Sequence, residues 1–343
     1  MKNILHISDF HISGQGGGFA PKLAESVVNA LKKDVESISE RINGSIDALF
    51  VTGDLTFSGK SQDFDIFKNI VIDDLSTYFG ISHENIFLVP GNHDCDRGVI
   101  SRTEKPFRDK QEFSELDALC ADIQKNEEGW PRIDSYSSWF DNNFSKRKNI
   151  VASTKLVNIY KINNKLFIIG MSSAWLAQDN FDQGKLIIGE SQLKLIKDKI
   201  PRSATTILLM HHPIDWLHPE EESRFSRFVE KRINVLFFGH MHEFRQSLEA
   251  NFQYDITLRL QAGTFDFRHD NAGYSIVSLQ NENDFTYGEV YYRKYNKGER
   301  RFESWIERGS DGVFQFSTTG DLTFDKHKFS ESSEAKLNEI NNI

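Results

Sequence analysis

The sequence predicts a layered α/β fold, and three observations carry that prediction. Short, nearly continuous apolar runs recur along the chain, longer amphipathic segments separate them, and polar donor residues stand at the ends of several of the runs. Apolar runs of this length, rich in Ile, Leu, Val and Phe, suit strands buried on both faces. Strands alternating with helices pack as helices on sheet.

In chain order the strand candidates are NILHIS (3–8), DALFVTG (47–53), NIFLVPG (85–91), KLFIIGM (165–171), TTILLMH (205–211) and INVLFFG (233–239). Residues 21–42 read as a helix: Pro21 suits a first turn, and Leu23, Val27, Leu31, Val35, Ile38 and Ile42 recur at helical spacing. Residues 63–79 and 190–199 read similarly. Residues 97–150 carry no clear strand but many charges and aromatic rings, and are expected to form a mainly helical insertion. Beyond about residue 255 the pattern turns β-like, in ITLRLQAG, GYSIVSLQ, DFTYGEVYYRKY, RRFESWI and GVFQFS, with Gly, Asn and Asp turns between. The expected division is a catalytic domain over 1–280, a β-rich extension over 281–325 packed on it, and a polar tail over 326–343. The glycine cluster GQGGG (14–18) fits neither a P-loop nor a dinucleotide fingerprint and reads as a linker.

Composition narrows the function classes. The 343 residues include 41 Lys and Arg against 50 Asp and Glu, a net charge of −9 that argues against sequence-independent adhesion to nucleic acid or anionic membrane. Two cysteines, Cys95 and Cys120, cannot form a disulfide framework and suit a reducing compartment. MKNILHISDF turns polar too early for a secretory leader, and no apolar run is long enough to span a bilayer. A cytoplasmic protein with no membrane association is expected.

The residues at the carboxyl ends of the strands carry the chemistry. The first strand runs into Asp9 and His11, the second into Asp54, the third into Asn92, His93 and Asp94, the fifth into His211 and His212, and the sixth into His240 and His242. Open α/β sheets bind ligands at that edge. Asp9, His11, Asp54, Asn92, His211, His240 and His242 are too many ligands for one ion of roughly four- to six-fold coordination, and suit two ions sharing a carboxylate. Imidazole and oxygen donors without thiolate favour Mn, Fe or Zn.

Five motifs in order, DFH (9–11), GDLT (53–56), GNHD (91–94), HHP (211–213) and GHMH (239–242), resemble those of the calcineurin-like metallophosphoesterases. The resemblance implies a two-sheet β-sandwich flanked by helices. It implies one metal on Asp9, His11, Asp54 and His242 and a second on Asp54, Asn92, His211 and His240, bridged by Asp54. It also implies a catalytic, non-ligand His93 near the scissile phosphate, oriented by Asp94. A water bridging two cations has a lowered pKa and sits in line for attack, and His93 would then assist the leaving group. The wording VTGDLT, VPGNHD, MHHP and FFGHMH is most similar to the branch containing class III cyclic-nucleotide phosphodiesterases.

The function expected is therefore hydrolysis of a phosphate diester, a cyclic nucleotide or related nucleotide. A DNA or RNA nuclease, a protein phosphatase and a non-enzymatic module of a bacterial signalling or defence system are the alternatives, and a protein partner or homo-oligomer stays open. Arg97 and Arg102 are candidate substrate contacts, although the acids interleaved with them also suit a solvated face. His6 reads as a core histidine, His212 as packing beside the ligands, and His83, His218, His269 and His327 as surface. Trp130, Trp139 and Trp175 could equally stack on a base or be buried.

Overall fold

The computed structural model describes residues 1–99, 112–125, 130–179, 181–250 and 256–318. Two seven-stranded sheets face one another. The first begins with β1 (Asn3–Ile7), β2 (Ala48–Val51) and β3 (Ile86–Leu88), mutually parallel and in the order β1-β2-β3. The second takes β4 (Ile150–Ser153), β5 (Val157–Lys161), β6 (Leu166–Met171), β7 (Thr205–Leu209), β8 (Val235–Phe238), β9 (Arg245–Ala250) and β10 (Ile256–Gln261), in the order β4-β5-β6-β7-β8-β10-β9. Its β6, β7, β8 and β10 are parallel. The chain then returns to the first sheet through β11 (Gly273–Asn281), β12 (Asp284–Asn296), β13 (Arg301–Ser304) and β14 (Val313–Ser317). There β11 lies antiparallel to β1, and both β13 and β14 pair with β12.

Period-two side-chain alternation explains the continuous apolar runs. In β7 and β8, Ile207, Leu209, Val235 and Phe237 enter the core shared with the first sheet, while Leu208 and Leu236 enter a second core under the outer helices. The rings of His6, Phe50 and Phe237 meet edge-on between the sheets.

Helices α1 (Pro21–Ser37), α2 (Ser61–Phe67) and α3 (Asp74–Phe79) match the expected segments, with α2 and α3 joined by a π-helical stretch, Lys68–Asp73. Helix α1 stops short of residue 42. The Ser37 and Ser39 hydroxyls donate to the carbonyls of Asp34 and Glu36, and Asn43 and Gly44 take positive φ. Ile38 and Ile42 stay buried, so the apolar spacing persists past the helix itself.

The described part of 97–150 contains α4 (Phe113–Gln124) and α5 (Pro131–Phe144). These helices belong to the cores: Trp139 of α5 stacks on Phe64 of α2, and Arg132 is fully buried with Nη1 donating to the Ala177 carbonyl. Trp130, Trp139 and Trp175 are all buried, which removes them as base-stacking platforms. The outer layer is completed by α6 (Glu190–Lys199) and α7 (Pro219–Arg232).

Sequence reasoning passed over β4, β5 and β9. The last, RQSLEA, has only polar-edge burial and forms because β10 offers it an unpaired edge. The boundary expected at 280/281 falls inside the β11–β12 hairpin, whose strands pair from Gly273↔Lys294 to Asn281↔Asp284. The tail over 326–343 lies outside the described residues. Among the described residues no helix is long and apolar enough to cross a membrane.

Candidate metal centre

The loops leaving β1, β2, β3, β7 and β8 meet where the parallel ends of the two sheets come together. Contacts cross from one sheet to the other: His211 Nδ1 lies 2.7 Å from the Thr52 carbonyl, and the His240 amide donates to Asp9 Oδ2 at 3.1 Å. The backbone there is compressed. Asp9, His11, Asp54, His240 and His242 all take left-handed φ between 52° and 74°, a region that side-chain-bearing residues seldom occupy. Such dihedrals persist only where surrounding structure enforces them, and they gather at functional sites. Gly53 and Gly91 permit close approaches. A Cβ on Gly53 would lie 2.4 Å from His211 Nδ1, and one on Gly91 would lie 2.2 Å from Asp54 Oδ1.

The donor atoms converge as ligands do. His11 Nε2 and His242 Nε2 are 3.1 Å apart, and His242 Nε2 is 3.3 Å from Asp9 Oδ1. Beside them, Asn92 Oδ1 lies 3.0 Å from both His211 Nε2 and His240 Nδ1, and Asp54 Oδ2 lies 3.3 Å from His211 Nε2. Ligands about 2.0–2.1 Å from one ion, at tetrahedral or octahedral angles, are separated by about 2.9–3.4 Å. These spacings match. Asp9 Oδ1 and His11 Nδ1 are moreover buried without a hydrogen-bond partner.

His211 makes the need for a cation explicit. A carbonyl can only accept, so Nδ1 carries the ring hydrogen toward Thr52, and the neutral ring then turns the Nε2 lone pair on the oxygens of Asn92 and Asp54. A positive charge at that point, a proton or a metal ion, removes the conflict. A proton can supply it: burial opposes protonation of His211, but Asp54, Asp9 and the Thr52 carbonyl together outweigh burial and raise the pKa to about 9. His240, in contrast, is lowered to about 3 by burial and by His211, and His11 to about 4 mainly by burial, so both present neutral nitrogens of the kind that can bind a metal. Among the described residues, side-chain donor atoms close enough to share an ion form four overlapping sets: Asp9, His11 and His242; Asp9, Asp54 and His211; His11, Asp54 and His93; and His211, His212 and His240.

His93 sits at the rim of this cluster, half-buried. Its Nδ1 lies 2.9 Å from the Phe57 carbonyl, its ring packs against that of Phe57 at 5.4 Å, and its amide donates to Asp54 Oδ1 at 2.8 Å. With Nδ1 carrying the hydrogen, Nε2 is the atom left for other work.

The profile of the calcineurin-like phosphoesterases matches residues 2–244. The chain belongs to that family. The uncharacterized metallophosphoesterase-like protein YydB of Bacillus subtilis (strain 168) is 24% identical over 286 residues, covering 77% of this chain and 56% of YydB, so the chain spans little more than half of that relative. Among solved structures, a predicted phosphoesterase from Streptococcus pneumoniae TIGR4 is similar over 92% of this chain and 97% of its own, at 13% identity and a TM-score of 0.34. The phosphopantetheinyl hydrolase PptH from Mycobacterium tuberculosis is similar over 78% and 91%, at 12% identity and a TM-score of 0.37.

Within this calcineurin-like phosphoesterase one expected role needs correcting. Asp94 does not contact the His93 ring. Its carboxylate is fully buried and accepts from the amides of Leu55, Thr56 and Gly91 and from the Thr56 hydroxyl, at 2.8–3.1 Å. Asp94 thus pins the loop after β2 to the loop after β3, and the Phe57 carbonyl is what holds His93. A carboxylate two residues after Asn92 can reach back to Gly91 and across to 55–56 more easily than around to its neighbour's ring. Burial and the nearby Asp54 charge raise the Asp94 pKa to about 7, against the pull of its amide donors.

His212 is buried beside the cluster with Nδ1 3.0 Å from Ser173 Oγ, and His6 is a core residue 3.0 Å from Thr52 Oγ1. Cys95 is buried against the Ala174 carbonyl, and burial raises its thiol to about 12, a poor metal ligand. Arg97 is half-buried with Nε and Nη2 withdrawn from solvent, and Arg102 lies outside the described residues. Sequence reasoning missed Phe57 and Trp216, whose ring edges onto His240 at 3.9 Å; His269, read as surface, is exposed, and its ring stands 4.7 Å from that of His242. No local motif marks any of the three. His269 sits on a loop that Thr264 ties to the Asp9 carbonyl, a contact between residues 255 positions apart.

Proposed function

We propose that this protein is a dinuclear metal-dependent phosphodiesterase, acting on a cyclic nucleotide or related nucleotide diester. The carrying observation is the convergence of donor atoms: His211 Nε2, His240 Nδ1, Asn92 Oδ1 and Asp54 Oδ2 approach one another at 3.0–3.3 Å, the spacing of ligands around one ion. In this reading Asp9, His11, Asp54 and His242 hold one ion and Asp54, Asn92, His211 and His240 the other, with Mn, Fe or Zn suited to these donors. Such ions, when bound, supply charge neutralisation for the phosphoryl oxygens and lower the pKa of the attacking water.

The chain's own residues do the rest. Asn92 contributes a neutral oxygen, which leaves the positive charge of its ion intact. Thr52 fixes His211 with Nε2 inward, a carbonyl–imidazole arrangement that orients a ligand and raises its basicity. His93, held through Nδ1 by the Phe57 carbonyl, presents Nε2 to the leaving group; protonated there, it donates to the departing alkoxide oxygen and is left neutral. Asp94 keeps the Asp54 and Asn92 loops in register.

The test is hydrolysis of bis-p-nitrophenyl phosphate and of cyclic nucleotides by protein loaded with Mn, Fe or Zn, beside phosphomonoester, phosphopeptide and oligonucleotide substrates. Turnover of diesters supports the proposal. Failure to turn over any diester while metal is bound removes it, and selective activity on oligonucleotide or phosphopeptide replaces it with a nuclease or a protein phosphatase.

A further inference from the structure

A second chemically marked cavity lies away from the metal centre. Helix α7 connects the parallel strands β7 and β8 and therefore runs back against them, and α6 likewise leads down into β7. Their carboxyl-terminal ends thus lie toward the strand edge opposite the one carrying His211 and His240. Between these helices is a cavity of about 550 Å³ with Leu193 and Phe228 among its lining residues. Its charged lining residues are Lys197, Arg202, Arg224, Arg227, Lys231 and Arg232, all cations, on a chain of net charge −9.

Part of this charge has an ordinary explanation. Lys197, Lys231 and Arg232 occupy the last turns of α6 and α7, where cations favour the helix dipole. Arg224 is engaged by Asp117 and Glu221, and Arg232 Nη2 donates to the Ile200 carbonyl at 2.6 Å. Arg202 and Arg227 are not explained this way. Arg202 lies just past the end of α6, Arg227 sits mid-helix in α7, and among the described residues neither they nor Lys231 has an acidic partner. Arg202 also bears on Arg232, whose pKa is lowered by burial and then by that like charge. Acids relieve Arg224 and Lys197, the latter through Glu190 at 3.2 Å, but folding has gathered Arg202, Arg227 and Lys231 into the same concave site without such partners among the described residues.

We propose that the α6–α7 cavity binds a small, soluble ligand carrying more than one phosphate group. Guanidinium forks match phosphate oxygens in paired hydrogen bonds, which ammonium groups do not. The volume falls in the range of small-ligand sites, about 300–1,000 Å³. The cations are confined to one cavity between two helices, whereas an extended nucleic acid would need a stripe with exposed rings. This site is separate from the catalytic centre and independent of its substrate.

Inorganic tripolyphosphate is the probe, titrated calorimetrically into the full, metal-loaded protein and into an Arg202→Ala/Arg227→Ala variant. Binding at the metal centre is common to both proteins, so their difference reports the cavity. The wild type is expected to show a class of sites that weakens by about tenfold or more in the variant, in keeping with lost charge-assisted hydrogen bonds. Metal content, melting temperature and diester turnover are expected to be unchanged. Superimposable isotherms from the two proteins would overturn the proposal. So would single-stranded oligonucleotide binding that tightens with length and is lost in the same variant, because the occupant is then a macromolecular polyanion. A Lys22→Ala/Lys33→Ala variant, altered in a different cleft beside α1, is expected to bind tripolyphosphate as the wild type does.

Discussion

Replacing Gly91 with alanine tests how tightly the centre depends on backbone packing. Gly91 has φ −102°, a conformation alanine adopts freely, so the substitution isolates a steric effect from a dihedral one. The new Cβ would stand 2.2 Å from Asp54 Oδ1 and 2.4 Å from the Asp54 amide nitrogen. Carbon–oxygen contacts are about 3.3 Å or longer, so Asp54 or Gly91 must retreat by about 1 Å. Metal–ligand distances tolerate about 0.2 Å, so the displacement is about five times what the centre can absorb. Overpacking of this kind costs about 1–3 kcal/mol of stability, and a misplacement of about 1 Å costs about a hundredfold in rate. The assays are metal content by mass spectrometry after dialysis, thermal unfolding, and diester turnover. Gly298→Ala is the control, since its Cβ meets only Asn296 Oδ1 at 3.4 Å on an exposed turn. A Gly91→Ala protein with full metal content and wild-type turnover would falsify the claim that Gly91 sets the Asp54 position.

The same geometry sets three further outcomes. His93→Asn should retain metal and lose about a hundred- to ten-thousandfold in turnover, the range for a general acid; unchanged turnover removes the acid role. Asp94→Asn turns an amide NH₂ toward the donors of Gly91, Leu55 and Thr56, and should cost about 1–3 kcal/mol in urea unfolding. A collapse of turnover at unchanged stability would instead return Asp94 to a direct catalytic role. His6 has its pKa lowered from 6.5 to about 3 by burial, so its neutral form's stabilisation is full above pH 6.5 and is lost as pH falls toward 3. At pH 5 the unfolded chain gains about 2 kcal/mol from this proton alone. Unfolding free energy against pH should therefore be steeper for wild type than for His6→Gln below pH 6.5, and parallel curves would contradict it.

The loops that carry the candidate donors were legible because each succeeds a buried strand whose apolar run cannot be mistaken, and because Asp, His and Asn at strand ends have few other reasons to recur. Asp94 was misread for a physical reason. Sequence places it beside His93, but the short helical turn over Asn92–Asp94 points neighbouring side chains apart, and the free amides of Leu55 and Thr56 claim the carboxylate. The tryptophans of the 97–150 region could not be assigned either, since the same rings serve an open cap or a core. Only their packing against Phe64 and the Ala174–Ala177 segment put them inside.

The sequence by itself determined the layered α/β class, the strands that lead to the centre, and the residue types that gather there, because burial periodicity and donor chemistry are local properties. Tertiary structure alone decided the rest. That His211 bonds Thr52 and so turns Nε2 on Asn92 and Asp54, that Phe57 holds His93, and that Trp216 and His269 flank the histidine cluster are contacts between distant segments. They depend on how two sheets meet, and no spacing along the chain encodes that angle.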